Sequence, residues 1–266
     1  MTAPHDADPD ALACVVFTSG SSGGPRGVAT THAAVVNMVT PPALRGHRPH
    51  QPGRPGRRHS FDVWAGEIWG ALLNGATLVE VDRRDLLDPE RLRAAPQLRG
   101  ITAMLVVTAL FHRLAEQGPG LFAQVDTVLF VGEAADPRRR CAGRPAATAP
   151  GPQVRTAETA TYATWHQMRH CAATDDTVPT GTPLRGYELH ALDERLRPVA
   201  APASGELHIG GPFVARGHAE RPGETAARFV ADPFAGRRDG GSTARVTWSD
   251  AAPTGPSPSW DGPTTR

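Results

Sequence analysis

The chain has 266 residues and a formal net charge of +1, so charge indicates neither a nucleic-acid surface nor a basic membrane-binding face. All 28 basic residues are arginine, which excludes a catalytic or Schiff-base lysine within this sequence, while 28 glycines and 26 prolines call for many loops. Cys14, Cys141 and Cys171 are widely spaced with no C-x-x-C pair, which fits reduced thiols better than a disulfide framework or a zinc site.

Residues 1–12 are polar and acidic and are expected to be disordered. They hold no apolar signal-peptide core, and no later run approaches membrane-spanning length, so the expectation is a soluble cytoplasmic chain without nucleic-acid or membrane partners. From Cys14 to Phe17 a β-branched and aromatic run reads as a buried strand that empties into Thr18, Ser19, Gly20, Ser21, Ser22, Gly23 and Gly24, then Pro25, Arg26 and Gly27. Glycines let the backbone approach a ligand, hydroxyls and N–H groups can face phosphate oxygens, and arginine adds a forked cation suited to them. A flexible Gly/Ser linker is the plain alternative, but linkers are rarely entered from an apolar strand and closed by Pro-Arg-Gly before a helical pattern. A lysine-bearing Walker loop does not align here.

Thr30 or Thr31 caps a predicted helix through Ala33, Val35, Val36 and Met38. Residues 41–59 then hold five arginines, five prolines and three histidines and read as an irregular insert; His47, His50 and His59 lack the carboxylates or helical spacing of a metal site. A helix is expected at Glu67 to Leu73, a turn at Asn74-Gly75, a strand at Thr77 to Val81, and a helix opened by Asp88-Pro89. Ala103 to Val107 and Thr127 to Val131 read as buried strands around a helix at Ala109 to Gln117. This alternation predicts an α/β core over residues 13–177, with a second irregular insert at 136–157 and ligands at the strand ends. Short strand patterns at Gly186 to Leu192, Arg197 to Val199 and Gly205 to Ile209, then a short helix in GETAARFVADPF, predict a β-rich subdomain over 178–238. Residues 239–266 are expected to be a disordered tail.

The stretch FTSGSSGGPRGVATTHAAVVNMV resembles the phosphate-binding motif of the adenylate-forming superfamily, in the version carried by amino-acid adenylation domains of nonribosomal peptide synthetases. That family usually has lysine at Arg26 and threonine at Ser22. FDVWAGEIWGALLNGATL, TVLFVGEAAD, ETATYATWHQM and GELHIGGPFVARGHAERPGETAARFVADPF match further family motifs in the same order. The resemblance implies a partial large domain of mixed and parallel sheets flanked by helices, followed by the small β-rich subdomain, without the family's C-terminal lid and its catalytic lysine.

The same resemblance implies site residues. Thr18, Ser19, Gly20, Ser21, Ser22, Gly23 and Arg26 would hold phosphate, and Gly132, Glu133 and Ala134 would lie at adenine. Asp62, Val63, Gly66, Leu105, Leu129 and Val131 would line the amino-acid substrate, with Asp62 on its ammonium group, and Glu158 would bind Mg²⁺. Val154, Arg155, Thr156 and Ala157 stand where the family has Tyr-Gly-Pro-Thr, and His218 where it has tyrosine. ATP and Mg²⁺ are the implied cofactors, and a phosphopantetheinyl carrier protein the implied acceptor of the aminoacyl group. Permissible codons for Gly240 to Arg266 can, in a displaced frame, spell the family's Y-R-T-G-D-L motif, so the tail is expected to be out of frame and the chain an inactive fragment. A noncatalytic nucleotide-binding remnant and an acyl or aryl acid ligase of the same superfamily are the alternatives.

Overall fold

A computed structural model of the chain describes residues 8–18, 24–40, 49–53, 63–95, 100–118, 120–131, 156–165, 182–199, 205–232, 234 and 244–248, of which 49–53, 63–64, 123–124, 130–131, 165 and 244–248 are described by their backbone alone. The first elements are an antiparallel hairpin, β1 (Leu12–Thr18) and β2 (Arg26–Thr31), with Val16 and Val28 on its buried side. Thr31 ends β2 and caps α1 (His32–Val39), its hydroxyl accepting from the Ala34 amide at 3.3 Å. The glycine-rich loop therefore returns into a strand. The helix expected after a Thr30 or Thr31 cap begins at His32, with Thr31 as the cap.

β3 (Pro49–Gly53) lies inside the stretch expected to be irregular, and α2 (Val63–Leu72) follows. Asn74 closes this helix by donating to Gly70 O and ties it to α1 by donating to Val39 O, both at 2.9 Å. β4 (Val79–Asp82) leads into two short helices, α3 (Arg83–Leu86) and α4 (Pro89–Ala94), started by Asp82 and Asp88. The Asp88 carboxylate accepts from the amides of Glu90 and Arg91 at 3.0 and 3.2 Å, and Pro89 supplies the preset backbone of the first turn. β5 (Ala103–Val107), α5 (Thr108–Gln117) and β6 (Thr127–Val131) stand within a residue of their expected bounds.

β4, β3, β5 and β6 form, in that order, a parallel sheet. Successive residues of a strand face opposite sides, so a sheet covered on both faces has continuously apolar strands. On one face Met104, Val106 and Val128 meet Leu92, Phe111, Leu114 and Phe122, with the rings of Phe111 and Phe122 stacked at 5.4 Å between centroids. On the other, Leu105 and Leu129 meet Val35, Met38 and Val39 of α1, Ala65 of α2, and Tyr162. Burying each large aliphatic or aromatic side chain here contributes about 1.5–3 kcal/mol.

The remaining strands are β7 (Thr164–Trp165), β8 (Thr182–Pro183), β9 (Glu188–Leu192), β10 (Glu206–Gly210), β11 (Phe229–Ala231) and β12 (Ala244–Trp248), with α6 (Pro222–Arg228) before β11. β7 pairs with β8, and β11, β12, β10 and β9 make a second four-stranded sheet. The expected strand at Arg197 to Val199 is reduced to a single bridge, Leu192 with Pro198, because Asp193 turns the chain by accepting from the amides of Arg195 and Arg197. β12 lies within the tail expected to be disordered and joins β10 to β11. Among the described residues no helix is long and apolar enough to cross a membrane.

Candidate functional site

The two ends of the glycine-rich loop are fixed by the hairpin register. Thr18 is the cross-strand partner of Arg26, and Phe17 of Gly27. Ser19, Gly20, Ser21, Ser22 and Gly23 lie outside the described residues. The outer edge of β2 is closed from far along the chain. Ala29 N donates to Gly217 O at 3.0 Å, Arg216 N to Ala29 O at 3.0 Å, and Ala219 N to Gly27 O at 2.7 Å. Val28 and His218 form an antiparallel bridge at the centre of this seam. Gly217 has φ +139°, and a Cβ there would stand 2.5 Å from the Thr225 methyl group, so the seam runs closest to α6 where only glycine fits.

That seam delivers charged groups to the neck of the loop. Arg26 Nε lies 2.8 Å from Glu224 Oε2, and Arg221 Nη1 lies 2.6 Å from Glu224 Oε1. Arg221 Nη2 reaches Pro25 O at 3.5 Å. The hydrogen bond from Arg221, helped by the charges of Arg26 and His218, holds the Glu224 carboxyl below its ordinary range.

Glu158 sits on a short 3₁₀ turn, Ala157–Thr159, between buried Ala157 and Thr159. The Thr156 hydroxyl donates to Glu158 Oε2, and His218 Nε2 lies 3.2 Å from Glu158 Oε1. An ionised carboxylate only accepts, so Nε2 carries the proton of this contact. The His218 side chain is 0% exposed and packs edge-on against Phe229, with ring centroids 5.5 Å apart. His218 thus joins Glu158 to the seam that closes β2. Directly after Glu158 and Thr159, Ala160 and Thr161 take φ +50° and +85°. A β-branched residue at positive φ is strained, and here the turn is held by its buried surroundings.

Three of the expected substrate residues come together. Gly66 of α2, Leu105 of β5 and Leu129 of β6 surround Tyr162, which is 3% exposed. A Cβ at Gly66 would lie 2.6 Å from the Tyr162 hydroxyl, so only glycine lets that ring occupy the space between helix and sheet. Val63 opens α2 and Val131 ends β6 beside Val107, at the level of their backbones. Asp62, Gly132, Glu133 and Ala134 lie outside the described residues, as do His47 and His59. Beside Tyr162 a small, mostly apolar hollow is lined by Cys14, Val16, Met38, Ala65 and Thr161. Burial pushes the Cys14 thiol up from its ordinary pKa.

Tyr162, Arg221 and Glu224 were not among the residues expected at the site. All three fall within stretches matched to family motifs, yet neither spacing nor residue type marks them, since their contacts are made across the fold. Among the described residues no group of three or more histidine, cysteine or acidic side chains could hold a metal ion.

Residues 1–218 match the family model for AMP-binding enzyme. Phosphinothricin tripeptide synthetase PhsC of Streptomyces viridochromogenes is 37% identical over 229 residues, which cover 85% of this chain and 20% of that protein. Tyrocidine synthase 3 of Brevibacillus parabrevis is 32% identical over 228 residues, covering 84% and 4%. The chain therefore spans a small part of the length of these relatives. Among solved structures, the Klebsiella oxytoca NpsA N-terminal subdomain in complex with 3-hydroxybenzoyl-AMSN superposes with a TM-score of 0.75 at 27% identity, covering 92% of this chain and 62% of that one. NpsA-ThdA, an artificially fused adenylation–PCP di-domain from the same organism, gives 0.73 at 27% identity, covering 90% and 47%.

Proposed function

The chain belongs to the AMP-binding enzyme family, and we propose that it is the part of an amino-acid adenylation domain that grips the polyphosphate of ATP. The observation that carries this reading is Arg26, paired across the hairpin with Thr18 at the neck of a glycine-rich loop and braced by the seam from residues 216–224. In this reading Thr18 to Gly23 and Arg26 hold phosphate oxygens, and Gly132, Glu133 and Ala134 lie at adenine. Asp62, Val63, Gly66, Leu105, Leu129 and Val131 line the acid to be activated.

Glu158 suits Mg²⁺ as a single carboxylate, because that ion takes one or two carboxylates and completes its shell with water and phosphate oxygens. Its side chain is 14% exposed, and the contacts from Thr156 and His218 orient it. Bound there, Mg²⁺ would neutralise charge on the phosphates.

The reaction the family resemblance implies for such a domain when its catalytic lysine is present is attack of an amino-acid carboxylate on the α-phosphorus of ATP, forming an aminoacyl adenylate and releasing pyrophosphate. Arg26 stabilises the charge that grows on the leaving pyrophosphate, an interaction stronger in the transition state than in the ground state. The adenylate is then passed to a phosphopantetheinyl thiol, a partner supported by the adenylation–PCP architecture of NpsA-ThdA. The family resemblance assigns catalysis to a lysine and this sequence has none, so on its own the chain binds ATP without turning it over.

Calorimetry with ATP and Mg²⁺, together with ATP–pyrophosphate exchange over a panel of amino acids, tests this. Binding without exchange is expected. Absence of binding overturns the nucleotide reading, and exchange overturns the reading of inactivity. A second reading, activation of an aryl acid, is favoured by the apolar surroundings of Leu105, Leu129 and Tyr162 and by the 3-hydroxybenzoyl-AMSN complex of the K. oxytoca subdomain. Benzoates in the same panel separate the two.

A further inference from the structure

We infer that Arg221 is a second phosphate-binding cation of the loop and that Glu224 is the positioning residue that holds it and Arg26 together; the inference rests on the phosphate reading of that loop. The two oxygens of Glu224 are divided between two guanidinium groups, Oε2 at 2.8 Å from Arg26 Nε and Oε1 at 2.6 Å from Arg221 Nη1. Arg221 also reaches the loop backbone itself, 3.5 Å from Pro25 O, and a Cβ on Gly24 would stand 3.5 Å from Arg221 Nη2. Both arginines therefore stand at the end of the loop where it re-enters β2.

Two guanidinium groups thus converge on one carboxylate at this neck. A purely structural ion pair would be complete with one arginine, whereas a polyphosphate carries several negative charges and is gripped best by paired, forked donors. Arg26 meets the carboxylate through Nε. The Arg26 side chain is only 14% exposed, so its charge is poorly screened. Glu224 reaches it from the first turn of α6, and the backbone seam of residues 216–219 fixes the separation of the two segments.

Titration of the full chain with inorganic pyrophosphate tests the assignment, with urea midpoints measured in parallel to separate folding from binding. Arg221→Gln and Arg26→Gln are each expected to weaken pyrophosphate binding about tenfold, the size of one charge-assisted contact. Arg221→Lys retains the charge and is expected to lose about threefold. Glu224→Gln is expected to weaken binding about fivefold even though it removes a negative charge, because two guanidinium groups lose their common anchor. A merely structural Glu224 would lower the urea midpoint and leave the affinity of the folded protein unchanged. Glu224→Gln that binds as tightly as wild type or more tightly, or Arg221→Gln that binds normally, overturns the assignment. Should Glu224→Gln fail to fold, Arg221→Gln decides, since it leaves the Arg26–Glu224 contact in place. Wild-type protein that binds no pyrophosphate overturns the phosphate reading and this inference together. Wild type that binds, is weakened by Arg26→Gln and is indifferent to Arg221→Gln overturns this inference alone.

Discussion

Gly66→Ala probes the contact that brings α2, the parallel sheet and Tyr162 together. Two effects of opposite sign meet at this residue. Alanine in a helix interior is favoured over glycine by about 0.5–1 kcal/mol. The new Cβ would lie 2.6 Å from the Tyr162 hydroxyl, a separation that forces the ring or the helix to move, and such overpacking costs about 1–3 kcal/mol. Tyr162 is buried among Val35, Met38, Leu105 and Leu129, so the ring has little room and overpacking prevails, with a net loss of about 0.5–2 kcal/mol. In a Tyr162→Phe background the nearest ring atom is Cζ at 3.4 Å, an ordinary contact, and the same substitution becomes stabilising by about 0.5–1 kcal/mol. Urea unfolding of wild type, both single variants and the double variant gives the coupling, expected at about 1–3 kcal/mol. If Gly66→Ala shifts stability equally with tyrosine or phenylalanine at 162, the hydroxyl is not what excludes a side chain from position 66, and the reasoning fails.

Leu92→Ala removes a fully buried side chain from the core between α4 and the parallel sheet, and is expected to cost about 2–5 kcal/mol in urea. Asp193 and Glu224 both have carboxyl pKa values held below their ordinary 3.8 and 4.5, Asp193 chiefly by hydrogen bonds from Arg197 and Glu224 chiefly by Arg221. A carboxylate depressed in the folded state contributes stability that is complete above its unfolded pKa and is lost as pH falls through the folded one. The urea midpoint should therefore hold down to about pH 5 and then fall, and Asp193→Asn with Glu224→Gln should flatten that fall. An unchanged slope in the double variant would show that neither group carries it. The raised pKa of Cys14 predicts slower alkylation at about pH 8 than for a free thiol, read by mass spectrometry of its peptide, with the difference abolished in urea.

The elements that sequence reasoning places correctly are those whose physics is local. Ala103 to Val106 is apolar and buried at every position because both faces of a parallel strand are covered, and Asp88-Pro89 carries its own helix start. β2 is different: RGVATT has a glycine and two potential caps, and it becomes a strand because β1 and residues 216–219 pair with its two edges. β3 is the extreme case, a Pro-His-Gln-Pro-Gly segment with no strand propensity that exists through its neighbours β4 and β5. Of the residues on which the proposed site rests, Thr18, Arg26 and Glu158 are singled out in the sequence by the glycine-rich loop and a family motif. Arg221 and Glu224 are not, since Arg221 meets the loop at Pro25, 196 residues away along the chain, and no periodicity records such a meeting.

The seam between β2 and residues 216–219 also has a consequence in time. In synthesis from the N-terminal side the hairpin precedes residues 216–219, so the segment that satisfies the far edge of Val28 and Ala29 arrives only after the whole parallel sheet has been made. Until then β2 is an open edge beside an apolar surface that includes exposed Val15 and Phe17, the combination that recruits other chains. The glycine-rich loop is thus made well before the segment that finishes its far strand, and its assembly is limited by long-range closure rather than by its own turn.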